Sequence, residues 1–406
     1  MGKMEANWKR DILVFLVSQN LSLFGSSLVQ YAITWHITLT TQSGTMMALA
    51  IISGFVPSFF ISPLGGVWAD RFDRKRLIVL SDGSIAVTTL IVAVLFTIGL
   101  GSIPLLLAAM AVRALGAGVQ VPAVNAMVPD IVPEKELLRI NGITGSVRAV
   151  VNIATPALSA FLLSVAPFAA LFYIDVVTAG IAIFLMTAVL KVPRNPVDDS
   201  HSTSQLAEIR QGLIYIRNHT LIRTLFIYIA LFYALISPLA FLTPLQVARS
   251  FGSDVWRLGT LEVFFGAGMI VGGALIAGVL HTKKPLHILL ASMVVFTVTT
   301  LYLALVGNFI LYIAGIFISG IALPLYNSPF ITIIQKEADA RVIGRVFSVE
   351  MMISSAFMPL SMLLFGPLSD IISVEMILVI ASIAMGLMSV GMITSRSLRS
   401  SSRSQL

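Results

Sequence analysis

Long apolar runs alternate with short polar breaks along this chain. A helix needs about 20 apolar residues to cross the hydrocarbon core of a bilayer. Runs of that length fall near 12–39, 45–69, 77–98, 103–127, 140–163 and 168–190, and again near 221–246, 259–280, 286–306, 309–332, 343–367 and 374–394. The pattern predicts an all-α polytopic membrane protein with twelve transmembrane helices in two sets of six. The first run follows Lys3, Lys9 and Arg10 as a signal peptide's apolar stretch would, but it continues for about 28 residues with no small-residue cleavage site, and is read as the first span. The segment 191–220, with Pro193, Pro196, Asp198, Asp199 and Ser200, is too polar to span. Its second part sets Leu206, Ile209, Leu213 and Ile216 opposite Glu208, Gln211 and Arg217, the pattern of a helix on the membrane surface or of a soluble helix leading into the seventh span. The expected organisation is an N-terminal six-helix bundle over 1–190, a cytoplasmic linker over 191–220, a C-terminal six-helix bundle over 221–394 and a cytoplasmic tail over 395–406.

The two sets repeat each other. At a constant offset of 202, Pro122 matches Pro324, Asn125 matches Asn327, Arg139 matches Arg341, Gly142 matches Gly344, Ser146 matches Ser348 and Ser159 matches Ser361. Parallel repeats of this kind imply two bundles related by an axis along the membrane normal, with a substrate site between them near the midplane.

Composition agrees: 57% of residues are hydrophobic and 11% charged, against about 25% charged in a soluble domain. The net charge of +7 marks topology rather than nucleic-acid binding, because the cations sit in short loops. Arg71, Arg74, Lys75, Arg76, Lys135, Arg139, Arg217, Arg223, Lys283, Lys284, Lys336 and Arg345 all fall on the side of the termini, and the other side has Arg249 and Arg257. The excess predicts cytoplasmic termini in a multi-pass protein of the cytoplasmic membrane. Cysteine is absent, and the histidines at 36, 201, 219, 281 and 287 are scattered, so no metal site, cofactor or catalytic constellation is expected. No GxxxxGK[ST] loop is present to bind ATP. The chain reads as a carrier driven by a gradient, not as an enzyme.

Polar stripes run through three spans. Gln19, Ser22, Ser26, Gln30 and Thr34 share one face of the first span; Asn141, Thr144, Arg148, Asn152, Thr155 and Ser159 share one face of the fifth; Glu350, Ser354 and Ser361 mark the eleventh. A single serine is ordinarily an interhelical hydrogen-bonding group worth about 0.6 kcal/mol. A stripe crossing the whole bilayer favours a water-filled cavity. Tyr233, Tyr326 and Asn327, with Met351, Met358 and Met362, would complete a mainly apolar cavity with a few polar anchors, suited to a large amphiphilic ligand. In the eighth span Gly259, Gly266 and Gly273 form a small-residue face expected to pack closely.

Charges inside spans are few. Glu350 and Arg148 occupy equivalent positions of the two repeats with opposite sign and rank first as coupling candidates. Arg113 and Asp175 complete the coupling candidates; they lie at similar depth, so a buried structural pair is also geometrically open. Asp82 and Glu262, nearer the ends of their spans, are expected to reach the interface.

The loop between the second and third spans runs Gly66-Val67-Trp68-Ala69-Asp70-Arg71-Phe72-Asp73-Arg74-Lys75-Arg76. It resembles the G-x-x-x-D-R-x-G-R-K signature of the major facilitator superfamily, with Asp73 in place of the glycine. Aspartate tolerates the left-handed backbone that a glycine there would supply. The resemblance implies a conformational latch in which Asp70 meets the start of the eleventh span, here Gly344 and Arg345, and Arg74 reaches Asp130. Arg113 with Gly116 and Gly118 is only loosely similar to the family's fourth-span motif, and Thr155-Pro156 lacks the glycine pair of its antiporter motif. Over nearly its whole length the chain also looks like the macrolide efflux transporters of Gram-positive bacteria, through Asn7 to Arg10, Asp70 to Lys75, Thr155-Pro156 and Gly344 to Ser348. That resemblance implies a monomeric drug/proton antiporter in the lipid bilayer, exporting amphiphilic or hydrophobic substrates by alternating access with protons as coupling ion. Export of a siderophore or another metabolite, and a receptor or scaffold without transport, are the alternatives.

Overall fold

A computed structural model of the chain describes residues 8–190, 205–339 and 342–395, and in 205–209 the backbone alone. The tail beyond Ser395, the linker residues 191–204, Arg341 and the residues before Trp8 lie outside the described residues, as do the side chains of Leu206, Glu208 and Ile209. Among the described residues the fold is all helical: α1 (Trp8–Thr41), α2 (Gly44–Arg71), α3 (Arg74–Thr97), α4 (Ile103–Ile131), α5 (Leu137–Val165), α6 (Phe168–Phe184), α7 (Gln205–Asn218), α8 (Thr220–Ser250), α9 (Val255–Leu275), α10 (Pro285–Leu305), α11 (Phe309–Glu337), α12 (Ile343–Ile371) and α13 (Val374–Thr394). The helices α6 and α9 each end in a π turn, Leu185–Val189 and Ile276–Leu280. Twelve helices are long and apolar enough to cross a membrane, all but α7. They match the twelve apolar runs, and most extend a few residues beyond them, because the polar residues flanking each run continue the helix into the headgroup zone.

The helix ends follow local chemistry. Asn308 caps α11 by accepting from the Ile310 and Leu311 amides, Ser373 caps α13 by accepting from Met376, and Asp73 caps α3 by accepting from Arg76 at 3.1 Å. Asp73 has φ −61° and ψ 109°. Asp73, at the position of the signature's glycine, is thus extended rather than left-handed and caps the helix, a role for which aspartate is among the best choices. Prolines interrupt α2 (Pro57, Pro63), α4 (Pro122, Pro129), α5 (Pro156), α8 (Pro238, Pro244), α11 (Pro324, Pro329) and α12 (Pro359, Pro367).

By contact the chain divides into two units, Met1–Ile37 with Leu49–His201, and Thr38–Ala48 with Ser202–Leu406. In the first, α3 packs along α4 and α6, and a core of Ile12, Phe15, Ile78, Met127 and Met186 closes one end. In the second, α11 packs along α9 and α10, α10 along α13, and α8 along α12 and α13. The short α7 lies on α12 with Gly212 and Ile216 buried. A Cβ on Gly212 would come within 2.6 Å of the Arg345 carbonyl oxygen. Leu213, expected on the buried stripe, is half exposed.

The repeat shows in a shared crossing. Gly118 of α4 approaches α2 at the Ser58 backbone, and Gly320, 202 positions later, approaches α9 at the Phe265 carbonyl, each closer than any Cβ would permit. On α9 the residues that make this approach are Gly268 and Gly272, whereas Gly273, expected on the packing face, has nothing within 4 Å of its Cβ position. Small residues four apart let two helix backbones meet in lipid, where dispersion replaces the hydrophobic drive. Gly268→Ala would place Cβ 2.2 Å from the Phe317 carbonyl oxygen and is expected to cost about 1–3 kcal/mol, read as a lowered unfolding temperature of the detergent-purified protein. Gly273→Ala is expected to leave that temperature unchanged or raise it.

Candidate functional site

The interior of the first unit holds a polar network built on α1, α3, α4 and α6. Arg113 of α4 and Asp175 of α6 form the pair left open by sequence, with Nη1 2.5 Å from Oδ2 and the side chains 7% and 1% exposed. Thr89 of α3 joins them: its hydroxyl donates to Asp175 Oδ2 at 3.0 Å and accepts from Arg113. Arg113 Nη2 also donates to the Ser26 carbonyl of α1 at 3.2 Å. Removing an ionised pair from water is repaid only when additional bonds satisfy it; here the bonds converge on Asp175 Oδ2, and Oδ1 is buried with no hydrogen-bond partner. Asp82 of α3 does not reach the interface as expected. It is 1% exposed and accepts from Ser22 Oγ at 2.8 Å and Gln120 Nε2 at 2.6 Å. Depth along a span decides such exposure less than helix face does, and Asp82 lies on the face that carries Ile78, Ile85 and Thr89 inward.

The polar stripe of α1 therefore divides. Ser22 is bonded inside the unit, Gln19 is buried, and Ser26 and Gln30 are half-buried. The stripe of α5 divides as well. Thr155 and Ser159 are buried, Ser159 donating to the Leu28 carbonyl at 3.1 Å, whereas Asn141 and Asn152 are exposed and Arg148 is half-buried. Ser22, expected in the cavity, thus bonds Asp82 within its own unit, and Thr155, also expected there, is buried with its hydroxyl on the Val151 carbonyl of its own helix.

The signature loop places Arg74 as its sequence pattern implies, with Nη1 2.7 Å from Asp130 Oδ2 and a further bond to the Ala126 carbonyl. Lys75 donates to the Leu190 carbonyl at 2.7 Å, a cation at the C-terminal end of α6 and its π turn. Arg71 is exposed, Gly66 half-buried, and Asp70, 73% exposed, has Arg74 at 3.8 Å. Gly344 and Arg345 open α12 in the second unit.

In the second unit Glu350 of α12 is half-buried, one turn before Ser354, whose hydroxyl donates to the Met351 carbonyl at 3.2 Å. Tyr233 of α8 and Tyr326 of α11 lie within electrostatic reach of Glu350. Tyr326 is 3% exposed and stacks on Phe232 at 3.9 Å, and Asn327 is half-buried beside it. Of the methionines, Met362 is buried and Met351 is 71% exposed.

Asp370, which the sequence does not single out, organises the other end of this unit. Its carboxylate accepts from the Gly44 amide at 2.7 Å, the Thr45 amide at 2.9 Å and Ser43 Oγ at 2.8 Å, and Arg249 lies 3.2 Å away. Arg249 also holds the carbonyls of Ser369 and Gln42, and Gln42 carries a positive φ of 46°. The start of α2 is thereby capped by a residue 326 positions later, a separation that no local sequence signal reveals.

Two substitutions probe these networks through the unfolding temperature of the purified protein. Asp175→Ala leaves Arg113 buried without its partner, and an expected loss of about 3–5 kcal/mol follows. Asp370→Ala removes a helix cap and is expected to cost about 0.5–2 kcal/mol. An unchanged temperature in either case excludes the corresponding role.

The model of the Major Facilitator Superfamily matches residues 15–360. Macrolide efflux protein A of Streptococcus pyogenes is 27% identical over 373 residues, which cover 91% of this chain and 92% of that protein. The multidrug efflux pump Tap of Mycobacterium bovis is 24% identical over 372 residues, covering 88% and 86%. Among solved structures, the nucleoside transporter NupG superposes with a TM-score of 0.69 at 13% identity, covering 94% of this chain and 100% of that one. The chain belongs to the major facilitator superfamily and is a multi-pass membrane transporter, not an enzyme.

Proposed function

We propose that the protein exports amphiphilic small molecules, macrolides among them, from the cytoplasm in exchange for protons. Two six-helix bundles alternate access to a site at the membrane midplane, both termini face the cytoplasm, and the working unit is a monomer. The observation that carries this reading is Glu350. An ionised group within a span costs about 2.5–3.5 kcal/mol, and this one is half-buried on α12, one turn from Ser354, in the unit that holds Tyr233 of α8 and the buried Tyr326 of α11. Rings supply adaptable apolar contact, and a lone acid supplies one charge that a proton or a cationic substrate neutralises. The half-buried Arg148 is its counterpart in the first unit, and Arg113 with Asp175 holds the interior against which that unit moves. Gln19, Ser26, Gln30, Asn152 and Asn327 supply the polar anchors of the cavity.

The signature loop acts as a latch in this reading. Arg74 on Asp130 fixes the loop, and the exposed Asp70 engages the Gly344–Arg345 end of α12 in the outward-open state. The efflux relatives named for macrolides and multiple drugs support the substrate class.

Accumulation of radiolabelled erythromycin in cells expressing the protein is expected to fall several-fold relative to cells without it, and to recover when a protonophore is added. Glu350→Gln is expected to abolish the difference at equal expression. Unchanged accumulation across erythromycin and a panel of cationic dyes would point instead to a metabolite carrier or to a protein that does not transport. Transport by Glu350→Gln equal to wild type in an imposed pH gradient would remove Glu350 from the coupling.

A further inference from the structure

Four helices of the first unit, α1, α3, α4 and α6, form a two-step polar ladder. On α3, Asp82 and Thr89 stand seven residues apart, about 10 Å along the axis; Arg113 and Gln120 are spaced alike on α4, and Ser22 and Ser26 lie one turn apart on α1. One step joins Thr89, Arg113, Asp175 and the Ser26 carbonyl. The other joins Asp82, Ser22 and Gln120.

The charges on the ladder do not balance. It holds two carboxyl groups and one guanidinium, and Arg113 is bonded to Asp175. From α1, Ser22 faces Asp82, and no charged residue lies between Asp11 and His36. From α4, Gln120 and Arg113 face it, while Asp130 near the end of that helix is bonded to Arg74. From α6 the facing charge is Asp175. On α3 itself Lys75, two turns back, is bonded to the Leu190 carbonyl at the end of the π turn.

Both donors meet one oxygen of Asp82, Oδ1. The other, Oδ2, is buried with no hydrogen-bond partner. Ser22 and Gln120 are neutral donors that can bond a carboxylate, more strongly, or the carbonyl oxygen of a carboxylic acid, and neither brings a compensating charge to Asp82. An asparagine would accept the same two bonds at no ionisation cost, so a carboxyl here serves a change of charge rather than helix packing.

We propose that Asp82 is a proton-binding site of the transport cycle, taking a proton from water on Oδ2 and returning it to water on the other side of the membrane. The proposal rests on the reading of the protein as a proton-coupled carrier. In the arrangement seen here, Asp82 carries the proton and its neutral acid closes α1, α3 and α4 together. Loss of the proton leaves the ladder with one uncompensated negative charge, which favours the arrangement that admits water to α3.

Infrared difference spectra of the purified wild-type protein between acid and alkaline pH are expected to contain a carboxylic-acid carbonyl band that disappears in Asp82→Asn. In Ser22→Ala the band remains and its pH midpoint is displaced. The same band at full amplitude in Asp82→Asn overturns the proposal. If gel filtration shows that Asp82→Asn does not fold, an unmoved midpoint in Ser22→Ala overturns it instead. In proteoliposomes with the membrane potential clamped, the logarithm of erythromycin accumulation is plotted against the imposed pH difference. The slope in Asp82→Asn is expected to be one proton less than wild type, a loss of about tenfold accumulation per pH unit. Equal slopes sink the role of Asp82 and leave proton coupling standing. A wild-type slope of zero sinks proton coupling and this site with it. If erythromycin does not move at all, the substrate reading falls and the infrared titration alone decides Asp82.

Discussion

Hydrocarbon offers no hydrogen bonds, and the buried polar side chains of this fold are arranged around that fact, with few buried oxygens among the described residues left without a partner. Helices satisfy their own backbone, so the unsettled business is the side chains and the helix ends. Arg113 meets that demand with three helices at once, bonding Asp175, Thr89 and the Ser26 carbonyl. Lys75 meets it for the end of α6, and Asp370 for the start of α2. Even single hydroxyls obey, as Ser159 does on Leu28 and Ser237 on the Met358 carbonyl at 2.9 Å. The apolar surface can then be almost featureless, because specificity resides in these few points.

The two units settle polar groups by different means. The first gathers acids, an arginine, hydroxyls and an amide into a bonded interior on α1, α3, α4 and α6. The second sets one half-buried acid beside stacked rings, Phe232 on Tyr326 and Tyr326 parallel to Phe330. One arrangement suits the storage of charge, the other the contact with a flat or greasy molecule. Halves that share a crossing at Gly118 and Gly320 thus carry different chemistry.

Much of the fold was legible in sequence because lipid replaces fine alternation with long uniform runs, and twelve runs became twelve helices. The Arg74–Asp130 contact was legible through a motif, and Arg113 with Asp175 through equal depth. Other features were hidden for physical reasons. Counting residues from a span's end gives depth but not the neighbour, so Asp82 was read as interfacial and Ser22 as cavity lining when the two bond each other. Glycine periodicity on α9 marked Gly273, whereas the close approach uses Gly268 and Gly272, since the crossing angle selects the face. Asp370 depends on a partner hundreds of residues away, and only folding brings them together.

Proline placement sorts the spans by stiffness. Each interior proline deletes one backbone bond and crowds the carbonyl four residues earlier, softening the helix there. The helices α1, α3, α6, α9, α10 and α13 have no interior proline, and among them α3 packs along α6 and α10 along α13. The proline-bearing α2, α4, α5, α8, α11 and α12 carry the built-in joints. Each unit thus combines proline-free spans with jointed ones, and the places where its helices are softened can be named in advance.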